Sequence, residues 1–145
     1  MEVRYLQAHE IQALHDEQIE TYSPEEDTSV WDWNLLESAA QKPAITHYYE
    51  QDSDLCDLAA ALAYGLTKNH AFVNANKRTA ASAADIFMRI NGHVLEFSPA
   101  YLVSVVVQIA TGQMTQKCLS KVIRDHCRAM NDAEIEELQL MADQQ

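Results

Sequence analysis

Residues 70–80, His-Ala-Phe-Val-Asn-Ala-Asn-Lys-Arg-Thr-Ala, decide how the rest of this 145-residue sequence is interpreted. An apolar-periodic segment ends near Asn69 and an Ala-rich segment begins near Lys77, so the stretch is predicted to be the loop of a helix-loop-helix unit. Backbone N–H groups at the start of the second helix lack intrahelical partners and lie at the positive end of its dipole. With Lys77 and Arg78 adding charge, the stretch predicts a phosphate-binding site.

The composition limits the classes of partner. Ten Lys and Arg residues against 22 Asp and Glu residues give a formal charge of -12, which disfavours nucleic acid and anionic lipid as partners. The three cysteines, Cys56, Cys118 and Cys127, have no metal-binding spacing and are predicted to be reduced thiols. The longest apolar stretch, 102–110, is too short to span a bilayer. We therefore expect a soluble, cytoplasmic protein that does not enter a membrane.

Apolar periodicity and capping residues predict a mostly helical chain. Gly65 within one predicted helix indicates close packing of a neighbouring backbone, because glycine otherwise costs a helix about 1 kcal/mol relative to alanine. The predicted helices are one from about Gln7 to before Ser23, a short one over Leu35–Gln41 ended by Lys42-Pro43, one bearing Leu55, Leu58, Leu62 and Leu66, a central one from Lys77 to Asn91-Gly92, one over Ala100–Thr111 capped by Ser98-Pro99, and one opened by Thr115.

The remaining segments complete an all-α, compact helical bundle with at most a minor β pair. Val3–Leu6 and Val94–Phe97 are predicted to form that pair. The acidic loop 23–29 has the length of a flap or partner contact. Trp31 and Trp33 behind it are predicted to be buried anchors.

The chain is divided into one domain over residues 1–130 and an acidic tail over residues 131–145. Ile135, Leu138 and Met141 allow this tail a short amphipathic helix. A solvated appendage is favoured over self-inhibition, in which its carboxylates would mimic phosphate at the predicted anion site.

Each residue of the central stretch has a structural alternative. A histidine before a helix is commonly a cap or a surface residue, and this interpretation is adopted for His9, His47, His93 and His126. Asn74 and Asn76 would serve equally as helix caps, and Arg78 would serve as a solvated side chain or a partner of Ser82 or Asp85. The role of His15 is left open. Singly these alternatives are favoured, but the complete eleven-residue string favours a functional site.

That string resembles the signature of the Doc branch of the Fic/Doc (Fido) family, His-x-Phe-x-(Asp/Asn)-(Ala/Gly)-Asn-Lys-Arg-Thr-Ala. The resemblance covers about the first 128 positions. It extends to Leu14-His15-Asp16, Leu35-Leu36-Glu37-Ser38-Ala39, Asn91-Gly92 and Ala110-Thr111-Gly112.

The resemblance implies an enzyme that transfers part of ATP, with Mg²⁺, to a protein hydroxyl. Doc-type proteins are toxins that phosphorylate a Thr or Ser of a translation protein, elongation factor Tu, and so inhibit translation. An antitoxin encoded beside them, Phd-like or of another type, neutralises them. The matching positions make His70 the base, Phe72 the residue that holds the loop, Asn74 a weak Mg²⁺ ligand through its amide oxygen, and Asn76, Lys77 and Arg78 the phosphate-binding residues.

Departures from the pattern leave alternatives open. Fic AMP-transferases carry glycine and a second arginine where this sequence has Lys77 and Ala81, which disfavours AMP transfer. Asn74 lacks the negative charge of the aspartate that many members carry there. The alternatives are thus an AMP-transferase and a non-catalytic module that binds nucleotide or antitoxin. The inhibitory Ser/Thr-x-x-x-Glu-(Gly/Asn) motif is absent, because Glu26 follows Thr21 and Glu25, so a separate antitoxin is expected.

Overall fold

Seven α-helices and one antiparallel strand pair form the part of the chain that the computed structural model describes, residues 2–144. In this range the all-α fold with a minor β pair is confirmed. The elements are α1 (Ala8–Tyr22), α2 (Trp33–Tyr49), α3 (Leu55–Asn69), α4 (Asn76–Ile90), β1 (His93–Leu95), α5 (Pro99–Ala110), α6 (Gln116–Asp125), β2 (Cys127–Ala129) and α7 (Asp132–Asp143).

Helices α3 and α4 form the centre of the fold because small side chains let several helices approach them. Helix α3 packs against α2, α4 and α6, and α4 packs against α1 and α5. Ala59 and Ala60 of α3 and Ala80 and Ala83 of α4 have no exposed surface. A buried helix pair therefore leads into the loop at residues 70–75 and out of it again. No helix within residues 2–144 is both long and apolar enough to cross a membrane.

The prediction that a helix ends at Lys42-Pro43 was wrong, because α2 continues through Pro43 to Tyr49. An interior proline removes one helical hydrogen bond. Here its apolar ring is buried on the same face as Leu36 and Ala39, so packing offsets the loss. Gly65 packs closely against α2, but the closest atom to a Cβ placed there would be Lys42 Cδ of a side chain at 2.7 Å, and the nearest backbone atom, Ala39 Cα, would lie 3.6 Å away.

The predicted pairing of Val3–Leu6 with Val94–Phe97 was also wrong. Strand β1 pairs instead with β2, with His93 opposite Ala129 and Leu95 opposite Cys127. The N-terminal segment is held by the side chain of Asn91, which accepts from the Arg4 N–H at 2.9 Å and donates to the Arg4 carbonyl at 2.9 Å. These contacts hold Arg4 against the end of α4 without a strand.

Trp31 and Trp33 are not the buried anchors that the sequence predicted. The side chain of Trp31 is 74% exposed and that of Trp33 is 41% exposed. Backbone hydrogen bonds hold this segment instead, since the N–H groups of Trp31 and Asp32 both donate to the Ala71 carbonyl.

The acidic tail contains α7, a helix of about three turns with no buried residue. Arg128 holds its first turn through Glu134 at 2.7 Å, and this hydrogen bond lowers the pKa of Glu134 to about 2. A groove of about 710 Å³ lies between α7, α1 and the C-terminal end of α4. Arg89 and Ile90 are the residues at the end of α4 that line this groove. The tail therefore lies at the opposite end of α4 from Lys77, which does not favour self-inhibition.

The cap of α3 generates a stability prediction. Asp54 accepts from the Asp57 N–H and from Arg124, and the Arg124 hydrogen bond is the main reason that its pKa is lowered from 3.8 to about 2. Asp54→Ala should lower the free energy of unfolding at pH 7 by about 1–2 kcal/mol, as measured by urea denaturation. A carboxylate whose pKa is depressed by folding contributes fully above the unfolded pKa and loses its contribution as pH falls through the folded one. The difference from wild type should therefore shrink between pH 4 and pH 2.

Asp52→Ala is the matched control for this prediction, because Asp52 is an exposed aspartate two residues before the cap. It should change stability by less than about 0.5 kcal/mol. An Asp54→Ala loss that equals the control, or one that grows on acidification, would contradict the assigned role of the cap.

Candidate active site

The side chain of Asn76 closes the loop between α3 and α4. Its Oδ1 accepts from the Phe72 N–H at 3.0 Å, and its Nδ2 donates to the Phe72 carbonyl at 2.8 Å. The residue is buried, with 6% of its surface exposed. One amide thus binds both backbone groups of a single residue, as a paired strand would. The Asn76 side chain is therefore committed to the loop, and any phosphate contact by this residue falls to its backbone N–H.

Left-handed backbone conformations stand at both ends of the loop. His70 has φ 51° and Ala75 has φ 62°, and within residues 2–144 these are the only residues other than glycine with positive φ. Each such conformation costs on the order of 1–3 kcal/mol, so surrounding contacts must hold it. The reversal at His70 ends α3 and leaves its imidazole exposed. Unlike His15, His93 and His126, the His70 ring forms no hydrogen bond with residues 2–144.

The N-terminus of α4 presents unpaired donors. Ala75 occupies the cap position and has no side-chain acceptor for the first turn. Thr79 is the first residue of α4 whose N–H reaches a backbone acceptor, the Ala75 carbonyl at 3.0 Å. The N–H groups of Asn76, Lys77 and Arg78 have no hydrogen-bond partner among residues 2–144. Three such donors at the positive end of a helix can donate to an anion.

The acidic loop 23–29 is bound to the motif loop. The Val73 N–H donates to the Ser29 carbonyl at 3.2 Å, and Asn74 Nδ2 donates to the Asp27 carbonyl at 3.2 Å. Arg78 donates through Nη2 to Glu26 Oε2 at 3.2 Å and to Ser23 Oγ at 3.1 Å. The predicted flap therefore contacts three of the motif residues.

The two predicted cations differ in their surroundings. Arg78 is paired with Glu26, and Ser82 and Asp85 are not its partners, because Asp85 instead pairs with Arg89 at 3.4 Å. Lys77 is exposed and has no ion-pair partner among residues 2–144. The ammonium of Lys77 is therefore available to an incoming anion, whereas Arg78 must first share or release Glu26.

The sequence did not reveal the part that His15 plays. Its side chain is fully buried and stacks on Phe72 with ring centroids 3.8 Å apart and planes 7° apart. Nε2 lies 2.9 Å from the Asn74 carbonyl and Nδ1 lies 3.0 Å from Asp16 Oδ1. Both partners are acceptors, so Nε2–H can donate to the Asn74 carbonyl and Nδ1–H to the Asp16 carboxylate. The sequence did hold one sign that His15 is buried, because it lies four residues from both Ile11 and Ile19 and therefore on the same face of α1.

A cleft adjoins the loop along α4. Its volume of about 300 Å³ is at the lower end of the range for small-molecule sites. Arg78 lies in its wall beside Ala81, which is nearly fully buried. The cleft is lined by residues of α1, α4, β1 and α5 and of the chain between β1 and α5: Gln18, Tyr22, Arg78, Ala81, Ser82, Asp85, Arg89, Leu95, Phe97, Pro99, Leu102 and Val103.

The donor set at the loop fits a hard cation only weakly. Because Asn74 donates through Nδ2, its Oδ1 remains without a hydrogen-bond partner among residues 2–144 and is available as one oxygen ligand. In the described range no cluster of three or more His, Cys, Asp or Glu side chains is arranged to hold a metal. A Mg²⁺ ion at this loop would take most of its ligands from phosphate oxygens and water.

Comparisons with known proteins agree with the motif. A family model described as the Fic/DOC family matches residues 5–88. The chain is 30% identical over 122 residues to the protein kinase doc of Escherichia phage P1, which covers 84% of this chain and 94% of that protein. It is 47% identical over 64 residues to the toxin Doc of Mycolicibacterium smegmatis, which covers 43% of this chain and 49% of that toxin.

The buried position of His15 predicts that it holds the motif loop. His15→Phe keeps an aromatic ring against Phe72 but leaves the Asn74 carbonyl without its donor. We expect the free energy of unfolding to fall by about 1–3 kcal/mol in urea denaturation, and the Phe72 amide to exchange faster with deuterium.

His9→Phe, on the exposed side of α1, is the control and should change stability by less than about 0.5 kcal/mol. Equal effects of the two substitutions, or an unchanged exchange rate at Phe72, would show that His15 does not hold the loop.

Proposed function

The chain belongs to the Fic/DOC family, and on this premise we propose that it is a toxin that transfers the γ-phosphate of ATP to a Ser or Thr hydroxyl of another protein. The observation that carries the proposal is the loop itself. The hydrogen bonds between Asn76 and Phe72 close this loop, and within nine residues of sequence the His70 ring and three N–H groups of α4 have no hydrogen-bond partner among residues 2–144. Transfer of a phosphoryl group to a hydroxyl requires a base and a site for the phosphate, and this loop carries a candidate for each.

His70 is proposed as the general base. A Ser or Thr hydroxyl is a weak nucleophile near pH 7, and an imidazole can remove its proton as the oxygen attacks phosphorus. The His70 ring is exposed and has no hydrogen bond to residues 2–144, which supports this role because the ring needs no rearrangement to accept the proton.

The N–H groups of Asn76, Lys77 and Arg78 are proposed to hold the transferred phosphoryl group, with the Lys77 ammonium neutralising its charge. Mg²⁺ would supply charge neutralisation of the triphosphate and would be held by Asn74 Oδ1. The leaving group must point away from His70 for in-line attack. The neighbouring cleft is the proposed place for the remainder of the nucleotide, because Arg78 lies in its wall.

The protein partners are proposed from the family resemblance. Their names describe a toxin and a protein kinase. We propose that a separately encoded antitoxin, Phd-like or of another type, neutralises this chain. We also propose that the acceptor is elongation factor Tu, which would make the cytoplasm the place of action and inhibition of translation the result.

One observation favours a second candidate, a module that binds nucleotide or antitoxin without turnover. Arg78 is already paired with Glu26, and Asn74 brings no negative charge to the metal. If Glu26 is not displaced, Lys77 is the remaining cation of the motif. AMP transfer is less favoured, because Ala81 offers no cation to the β- and γ-phosphates.

Radiolabel transfer tests the proposal. The purified protein is incubated with bacterial extract and ATP labelled at either the γ- or the α-phosphate. We expect label on a protein only from the γ position. His70→Ala should reduce transfer by at least about 100-fold, because a positioned base contributes 10²–10⁴-fold, and it should leave the fold intact.

His9→Ala, a surface histidine of α1, is the control and should retain wild-type transfer. Label from the α position would replace the proposal with AMP transfer. Absence of label from both positions, with ATP still bound in calorimetry, would favour the module without turnover.

A further inference from the structure

Two cysteines that are distant in sequence are in contact in the fold. Cys56 lies in the first turn of α3 and Cys127 is the first residue of β2, and their Sγ atoms are 3.5 Å apart. Both are free thiols. A disulfide brings sulfur atoms to about 2.05 Å, so a shift of about 1.5 Å separates the present contact from a covalent bond.

We propose that Cys56 and Cys127 form a modification site that a low-molecular-weight disulfide, such as glutathione disulfide, oxidises to an intramolecular disulfide joining α3 to β2. This proposal is independent of the transferase activity, because it rests on the geometry of a different end of α3 from the one that carries His70.

Exposure sets the order of the two steps. Cys127 is partly exposed, whereas Cys56 is buried with 5% of its surface exposed. Burial and the contact with Cys127 raise the pKa of Cys56 to about 12, so Cys56 does not supply the first thiolate. Cys127 therefore reacts first with the soluble oxidant, and Cys56 acts as the resolving thiol.

The exchange balances without another reactant. The Cys127 thiolate attacks one sulfur of glutathione disulfide, forms a mixed disulfide and expels one glutathione thiolate. Cys56 then loses its proton and attacks the Cys127 sulfur, which forms the Cys56–Cys127 bond and expels the second glutathione thiolate. The two thiol protons end on the two released glutathione molecules. The protein loses two hydrogens and glutathione disulfide is reduced.

The surroundings hold the two segments in register for the second step. Arg124, at the end of α6, donates to Asp54 at 2.9 Å and to Asp57 at 3.0 Å, on either side of Cys56. Its own carbonyl lies 3.6 Å from Cys127 Sγ. The same residue thus binds the start of α3 and the segment that leads into β2. Attack by Cys56 on the mixed disulfide should therefore be faster than attack by free glutathione, which would reverse the first step.

The disulfide would close a long loop, since 70 residues lie between the two cysteines. Constraining the unfolded chain in this way should raise the melting temperature by on the order of 10 °C. His70 lies at the far end of α3, about 20 Å away along the helix. Oxidation should therefore change stability and leave the proposed active site unaltered.

The test uses the full chain carrying Cys118→Ser, which removes the exposed third thiol. The reduced protein is treated with excess glutathione disulfide. We expect a product that has lost two hydrogens and carries no glutathione, a linked peptide containing Cys56 and Cys127 after proteolysis, and a raised melting temperature that dithiothreitol reverses. A stable glutathione adduct, or no change in mass, would overturn the proposal.

Two further variants identify the attacking and resolving thiols. With Cys56→Ser added, Cys127 should retain one glutathione because nothing resolves it. With Cys127→Ser added, Cys56 should remain unmodified. The Cys127→Ser variant decides which thiol attacks first, even if Cys56→Ser lowers the stability of the protein. Modification of Cys56 in the absence of Cys127 would contradict the proposed order.

Discussion

The two hydrogen bonds between the Asn76 side chain and the backbone of Phe72 are the interaction on which the rest of the site depends. They hold a short loop between the two central helices and turn the Asn76 side chain inward. Because Ala75 at the cap position has no side-chain acceptor, the N–H groups of Asn76, Lys77 and Arg78 have no hydrogen-bond partner among residues 2–144. An ordinary capping residue at position 75 would stabilise the helix and would fill the anion site.

The free energies involved show why the two hydrogen bonds between Asn76 and Phe72 cannot hold the loop alone. Two left-handed residues cost on the order of 1–3 kcal/mol each, whereas two net hydrogen bonds return about 0.5–1.5 kcal/mol each. The remaining stabilising free energy must come from packing. His15 and Phe72 contribute to it as a stacked, fully buried pair. Helix α1 is therefore as much a part of the site as the motif.

The sequence predicted those features that depend on neighbouring residues. Caps and apolar periodicity placed most helices, and the motif placed the loop. Contacts between distant residues were not predictable. Examples are the burial of Pro43 within α2, the pairing of β1 with β2, and the backbone hydrogen bonds from Trp31 and Asp32 to Ala71. The pairing of Arg78 with Glu26 belongs to the same class, because it joins residues 52 positions apart.

The first turn of α4 is proposed to bind phosphate through N–H groups that have no partner among residues 2–144, and amide chemical shifts on addition of ATP and Mg²⁺ test this claim most directly. The amide protons of Asn76, Lys77 and Arg78 should move to lower field as they donate to phosphate oxygens. Those of Arg89 and Ile90, at the far end of the same helix, should stay in place. Unmoved signals at 76–78 while other amides respond to bound ATP would contradict the claim.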